Sequence, residues 1–104
     1  MFLVGRVGGR PVACGALRRV DAGTGEIKRM YVVPGSRGAG LGRRVLDELE
    51  HHARALGLRR LVLETGDAQA EALRLYERAG FTRIPCFGEY LVSPASICMA
   101  RALD

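Results

Sequence analysis

The stretch VVPGSRGAGLGRRVL, residues 32–46, governs the interpretation of this 104-residue chain. An apolar run of β type enters a Pro-Gly turn, and three alternating glycines, Gly38, Gly40 and Gly42, then open a long amphipathic segment. A glycine inside a helix costs about 1 kcal/mol relative to alanine, so bare backbone must serve a purpose here. Unpaired amides at a helix start, together with the helix dipole, favour an anion. We therefore predict a pyrophosphate cradle at this turn.

The glycine spacing does not match the two common nucleotide fingerprints. Gly38, Gly40 and Gly42 do not fit GxGxxG, and no Gly-Lys-Ser/Thr follows them. A Rossmann dinucleotide site and a P-loop are therefore both disfavoured. A glycine-rich turn that serves close packing alone remains the alternative for this stretch.

Length and composition predict one small domain spanning residues 1–104. Apolar residues make up 48% of the chain, which is enough for a core without disulfide bonds. No apolar run approaches the roughly 20 residues of a membrane span, and the N-terminus lacks a signal-peptide layout. Cys14, Cys86 and Cys98 are odd in number and form no CxxC pair. We expect reduced, mostly buried thiols in a cytoplasmic protein without a membrane partner.

The net charge of +5 arises from an arginine-rich composition, with Lys28 as the single lysine. The basic residues are scattered, and the three tyrosines and three phenylalanines form no stacking platform. The codon bias of a genome explains such an arginine-rich composition as well as a functional role does. The pattern therefore predicts no nucleic-acid partner, whereas a small ligand with several phosphates would suit the charge.

Hydrophobic periodicity divides the chain into alternating strands and helices. A helix followed by a strand after residues 26–33 implies a right-handed crossover and hence a parallel strand pair. The predicted fold class is α/β (α+β), with a mixed, largely antiparallel sheet, one parallel pair beside the anion site and two main helices. The predicted strands are 2–8, 11–20, 26–33, 58–65, 81–84 and 95–103, the helices are 41–56 and 68–79, and 85–94 is an irregular loop.

Two motifs in order carry a resemblance to a known family. The first is Arg37-x-x-Gly40-x-Gly42, and the second, some thirty residues later, is ALRLYERAGF over residues 72–81. This succession resembles the GNAT superfamily of acyl-coenzyme A N-acyltransferases over about residues 2–103. That family usually begins with a strand and two helices that wall the acceptor site, whereas this chain starts at the hairpin. The open acceptor side leads us to expect a homodimer.

The resemblance implies a set of coenzyme-binding residues. The pyrophosphate would lie on the amides of the glycine loop, the pantetheine arm would pair with the preceding strand, and the 3′-phosphate would meet Arg43, Arg44 or Arg78. Gln69 stands where many relatives carry an asparagine near the coenzyme. The implied residues are Tyr31, Val32, Val33, Arg37, Gly38, Ala39, Gly40, Leu41, Gly42, Arg43, Gln69 and Arg78.

The resemblance also implies the catalytic groups. An amine with a pKa near 10.4 must lose a proton before attack, and family bases lie at positions matched by Glu26 and Glu64. Tyr76 matches the family's general acid for the departing thiolate. The alternative for each carboxylate is an ordinary solvated or salt-bridged group, and the alternative for Tyr76 is a helix tyrosine packed against the coenzyme. We expect no metal, because the adjacent His51 and His52 point about 100° apart on a helix.

The sequence thus predicts an N-acetyltransferase that uses acetyl-coenzyme A as co-substrate and a primary amine of a small molecule or peptide as acceptor. The alternative is a coenzyme A-binding regulatory or partner-dependent module with little activity of its own. Phe87 and Tyr90 lie in the loop of residues 85–94, where they either line the acceptor pocket or pack.

Overall fold

The computed structural model describes residues 1–103, which form a six-stranded mixed sheet and two helices. The sheet order is β1-β2-β3-β4-β6-β5. This architecture confirms the predicted fold class. In chain order the elements are β1 (Phe2–Val7), β2 (Arg10–Arg19), β3 (Thr24–Val32), α1 (Leu41–Ala55), β4 (Arg60–Gly66), α2 (Ala70–Arg78), β5 (Thr82–Ile84) and β6 (Ser96–Ala102), with 3-10 turns at Pro34–Ser36 and Gly88–Val92.

Strand β3 creates an opening in the sheet. It pairs antiparallel with β2 and parallel with β4, and the parallel pairing ends at Ile27 and Leu63. Just beyond, the register with β2 shifts, and Arg29 adopts a φ of 57°, which is rare for a residue with a side chain. Such a bulge bends its strand. The rest of β3 consequently has no ladder to β4, and a gap separates the two strands.

Both helices pack on one face of the sheet, the helix face. Val45, Leu46 and Leu49 of α1 and Tyr76 of α2 join one buried cluster with strand residues such as Leu63. Because side chains alternate along a strand, Glu26 and Glu64 point to the other face, called here the open face. Within residues 1–103 no helix is long and apolar enough to cross a membrane.

Gly15 on β2 lets α1 lie close to the sheet. A Cβ atom there would stand 2.7 Å from the Met30 sulfur and 2.8 Å from a Val45 methyl. Valine is stiff at χ1, so the helix cannot yield easily. The strand glycine therefore marks a close approach of helix and sheet.

We expect Gly15→Ala to lower the free energy of unfolding by about 1–3 kcal/mol through overpacking. Gly5→Ala is the matched control, since a Cβ there meets its nearest neighbour at 3.6 Å, an ordinary contact. Chemical denaturation of both variants checks the prediction. Equal stability of the two would show that α1 is not held this closely.

The expectation of reduced thiols is wrong for two of the three cysteines. Cys86 and Cys98 form a disulfide with their Cα atoms 5.1 Å apart, while Cys14 is free and half-buried. The cause is strand register: β5 pairs with β6, and Ile84 lies opposite Cys98, so the chain leaving β5 brings Cys86 beside its partner. A pairing set by register leaves no spacing motif in the sequence.

Candidate functional site

A groove of about 1000 Å³ runs along the helix face between the start of α1, the helix α2 and the end of β3. It brings together most of the residues predicted to bind a coenzyme, together with Tyr76. Val33, Ala39, Glu26 and Glu64 are not among its lining residues. The predicted site residues that line it are Tyr31, Val32, Arg37, Gly38, Gly40, Leu41, Gly42, Arg43, Gln69, Tyr76 and Arg78.

The start of α1 forms an uncapped turn at one end of this groove. Gly38 and Gly40 have φ values of 86° and 75°, which glycine adopts without strain. Gly40 precedes the helix and provides no side-chain cap, and no acidic residue lies in the first turn of α1, which the structure describes in full. Its first amides therefore have no side-chain acceptor, and the helix dipole adds a positive potential. An anion can occupy this position.

Gly42 serves a different purpose from the other two glycines. A Cβ atom there would lie 3.2 Å from Leu75 of α2 and 3.6 Å from Val32 of β3. The bare backbone lets α2 approach the beginning of α1. Close packing, the alternative for the glycine stretch, therefore explains Gly42. The left-handed turns at Gly38 and Gly40 are what remain for ligand binding.

The charged side chains along the groove are predominantly basic. Arg37, Arg43, Arg74 and Arg78 line it, against the single acidic residue Glu71. Arg43 is oriented by Asp47, 3.0 Å away on the next turn of α1, and by the Arg78 carbonyl at 3.4 Å. Arg74 was missed in the sequence, although it lies one helical turn before Arg78. Arg44 is absent from the lining. The charge favours a ligand with several phosphates.

The end of β3 offers main-chain groups to the gap. The Val33 amide donates to the Val12 carbonyl at 2.9 Å, so Val33 is engaged with β2. In an antiparallel ladder alternate residues bond to alternate sides, which turns the polar groups of Val32 away from β2. The Val32 carbonyl accepts the Arg37 Nε at 2.9 Å. Arg37 also lies 5.6 Å from the centre of the Tyr31 ring, so it spans the groove's edge.

Tyr76 is a buried phenol in the wall of the groove. Its side chain is 5% exposed and packs edge to face on Phe81 at 5.9 Å between ring centres. Burial raises the pKa of Tyr76 to about 12. The hydroxyl therefore keeps its proton throughout the neutral range and can act there as a proton donor.

Glu26 is held on the open face by two partners. The residue is 2% exposed, its Oε1 accepts Arg18 Nη2 at 3.0 Å, and its Oε2 accepts the Tyr90 hydroxyl at 3.0 Å. Arg18 lies directly opposite Glu26 in the β2–β3 ladder. Sequence reasoning missed Arg18 because the hairpin register was unknown. Tyr90 was a candidate for the acceptor side. Its contact with Glu26 joins two residues 64 positions apart in the chain, so no local pattern indicates it.

Glu64 lies farther along the open face. It is half-buried, and its Oε2 accepts the Ser96 hydroxyl at 2.7 Å. Both carboxylates therefore lie on the open face near the end of the parallel pairing, whereas Tyr76 and the glycine turn line the groove on the helix face. The parallel pairing ends one residue beyond Glu26.

The fold and the groove define a class of protein: an α/β domain whose parted parallel strands lie beside an uncapped helix start and a line of arginines. Comparison with known proteins agrees. Residues 1–81 match the model of the acetyltransferase (GNAT) family. The chain is 46% identical over 103 residues to an IAA acetyltransferase of Azospirillum brasilense, with 98% of this chain and 67% of the relative aligned.

Solved structures show the same fold. The chain superimposes with a TM-score of 0.94 and 38% identity on a Klebsiella pneumoniae protein assigned to the acyl-CoA N-acyltransferases, covering 99% of this chain and 72% of the other. A GNAT acetyltransferase from Elizabethkingia anophelis, solved with acetyl-CoA bound, gives a TM-score of 0.84 at 21% identity over 98% of this chain and 75% of that one. The chain belongs to the GNAT acetyltransferase family, and hence to the acyltransferases.

The chain is shorter than its relatives. It spans 67% of the Azospirillum protein and 61% of the N-acetyltransferase YsnE of Bacillus subtilis, to which it is 36% identical over 92 residues. The described residues thus contain the groove, the gap and both carboxylates, and the relatives carry additional chain.

Proposed function

We propose that the protein transfers an acetyl group from acetyl-coenzyme A to a primary amine of a small molecule or peptide. The observation that carries the proposal is the uncapped start of α1 at the head of an arginine-lined groove. That groove follows the edge of β3 where the sheet opens, and donor and carboxylate groups flank the opening. A polyphosphate ligand with an extended arm fits this arrangement.

The residues present suit coenzyme A. The turn with Gly38 and Gly40 would hold the pyrophosphate, since no Cβ atom hinders approach to the amides. Arg43, Arg74 and Arg78 would meet phosphate oxygens, and the edge of β3 at Val32, which faces away from β2, would pair with the amides of the arm. The coenzyme supplies an activated acetyl thioester when it is bound.

Tyr76 and Glu26 divide the proton chemistry. The buried phenol of Tyr76 holds a proton at neutral pH and donates it as the thiol is released. Glu26 takes up the proton that the amine must lose, in preference to Glu64, because it lies just before the point where the strands part. Its ion pair with Arg18 places a permanent positive charge beside the carboxylate.

A coenzyme-binding module with little activity is the second candidate. The observation in its favour is that both oxygens of Glu26 already have partners in the structure, so an acceptor cannot contact a free carboxylate oxygen.

The homodimer also stays a prediction. Sedimentation at micromolar concentration tests it, and a purely monomeric protein would contradict it.

Turnover of acetyl-coenzyme A against a panel of small and peptide amines, combined with calorimetric binding of coenzyme A, tests the proposal. We expect saturable binding and acetylation of at least one class of primary amine. Binding without turnover across the panel would favour the module, and failure to bind coenzyme A would contradict both candidates.

Tyr76→Phe should lower the turnover number by about a hundredfold, because the departing thiolate loses its proton donor. Coenzyme affinity should change little, since the substitution keeps the ring that packs on Phe81. Because the pKa of Tyr76 is about 12, we also expect its ionisation to cause no loss of wild-type rate up to about pH 10. Single-turnover rates from pH 7 to 10 check both statements, and an unchanged chemical rate would assign Tyr76 to packing alone.

A further inference from the structure

The 85–95 loop crosses the open face and is fastened there by three side chains. Cys86 is disulfide-bonded to β6, Glu89 lies 3.5 Å from Lys28 of β3, and Tyr90 reaches Glu26. Phe87 supports the tyrosine edge to face, with ring centres 5.4 Å apart. The loop thus places one phenol hydroxyl on the carboxylate beside the gap.

An acceptor amine has no direct access to Glu26. The residue is 2% exposed, and each carboxylate oxygen already receives a hydrogen bond. The two donors differ chemically. Arg18 provides donors alone, whereas a tyrosine hydroxyl both donates and accepts. Tyr90 is also only half-buried, so part of its side chain is accessible from the open face.

We propose that Tyr90 is the proton relay between the acceptor amine and Glu26. This inference rests on the proposed acetyl transfer and adds to it a catalytic residue from the loop. Arg18 serves as a positioning residue that fixes the carboxylate so that its second oxygen faces the phenol.

The relay conserves protons at every step. The ammonium group gives a proton to the Tyr90 oxygen as the Tyr90 proton moves to Glu26, which leaves a neutral carboxylic acid and a neutral amine. The nitrogen lone pair forms the new C–N bond while the C–S bond breaks. The nitrogen loses its second proton to solvent, the thiolate takes a proton from Tyr76, and Tyr76 regains one from solvent. Glu26 then releases its proton through Tyr90 to solvent, so the complete reaction yields amide, thiol and one proton.

The charges around Tyr90 support this direction of transfer. Burial, the hydrogen bond to Glu26 and the nearby charges of Glu26 and Glu89 raise the pKa of Tyr90 above its usual value. The phenol therefore stays neutral, and it passes a proton on rather than losing its own to solvent. Arg18 forms an ion pair with Glu26, and Lys28 forms one with Glu89.

The kinetic test compares Tyr90→Phe, Glu26→Gln and the double variant, with Val92→Ala as control. Val92 belongs to the same 3-10 turn and is 90% exposed. With an amine of pKa about 10.4 at neutral pH, each single variant should lose about a hundredfold in turnover number. The double variant should lose no more, because both residues serve one proton path. Val92→Ala should match the wild type.

An amine whose pKa lies below the assay pH separates a relay from a structural role. Such an acceptor is already deprotonated, so the loss in Tyr90→Phe should shrink to a few-fold. A loss independent of the amine's pKa, or wild-type turnover in Tyr90→Phe, would overturn the relay and leave the proposed function standing. If the wild type acetylates no amine at all, the proposed function fails and the relay falls with it.

A titration of tyrosine absorbance reads the contact without turnover. Removing the charge in Glu26→Gln should lower the pKa of Tyr90, and the Tyr90→Phe spectrum identifies its signal among the three tyrosines. An unchanged tyrosine titration in Glu26→Gln would contradict the hydrogen bond and therefore the relay.

Discussion

Replacing Gly40 with aspartate is expected to weaken coenzyme A binding about a hundredfold, equivalent to about 2.7 kcal/mol. The new carboxylate would stand where the first amides of α1 present an uncapped positive end, and it would repel the phosphates there. The fold should tolerate the change. No heavy atom lies within 4 Å of a Cβ at this position, and aspartate is among the residues that accept a positive φ.

Gly40→Asn is the matched control, because it has nearly the same shape without the charge. Calorimetry should find only a modest loss of affinity for the asparagine variant, and thermal melts should be alike for both. Equal affinities for the aspartate and asparagine variants would mean that no phosphate lies at the start of α1, and the coenzyme site would have to be sought elsewhere in the groove.

Glu50→Gln should strongly destabilise the fold, with a loss of about 3 kcal/mol in the free energy of unfolding. Glu50 lies on α1, is 4% exposed, and pairs with Arg101 of β6 and with Arg54, the latter at 3.3 Å. The substitution leaves the half-buried guanidinium of Arg101 beside a buried neutral amide. For a domain of this size the melting temperature should fall by about 15 °C.

Glu48→Gln provides the comparison on the same helix, because Glu48 is exposed and its nearest partner, the His52 ring, is 4.0 Å away. It should unfold within about 0.5 kcal/mol of the wild type. The double variant Glu50→Met with Arg101→Met should recover most of the loss, since it removes both charges together. A mild effect of Glu50→Gln alone would show that water reaches this pair in solution.

Local patterns predicted most of the fold. The apolar period of residues 41–56 gave α1 to within one residue of its end, and strand–helix–strand succession gave the parallel pairing of β3 and β4. The glycine turn and the basic residues beside it were likewise visible, because these features depend on neighbours along the chain. The boundaries of β4 and α2 differ from the prediction by one or two residues, within the usual uncertainty at element ends.

Contacts between segments that are distant along the chain could not be predicted from the sequence. The burial of Glu50 on α1 depends on Arg101 arriving from the last strand, which no local pattern in the helix indicates. The tyrosine on Glu26 and the Cys86–Cys98 bond depend in the same way on where the 85–95 loop lies. Such pairings are fixed by strand order and register, which periodicity does not encode.

The disulfide makes the segment between Cys86 and Cys98 a covalent ring closed on β6. A protease that cuts the exposed backbone near Val92 would open the ring without releasing either fragment. The nicked molecule would remain one covalent species until a reductant cleaved the disulfide. Insertions in this segment would likewise stay anchored at both ends, so the loop can vary in length while its ends keep one position on the sheet.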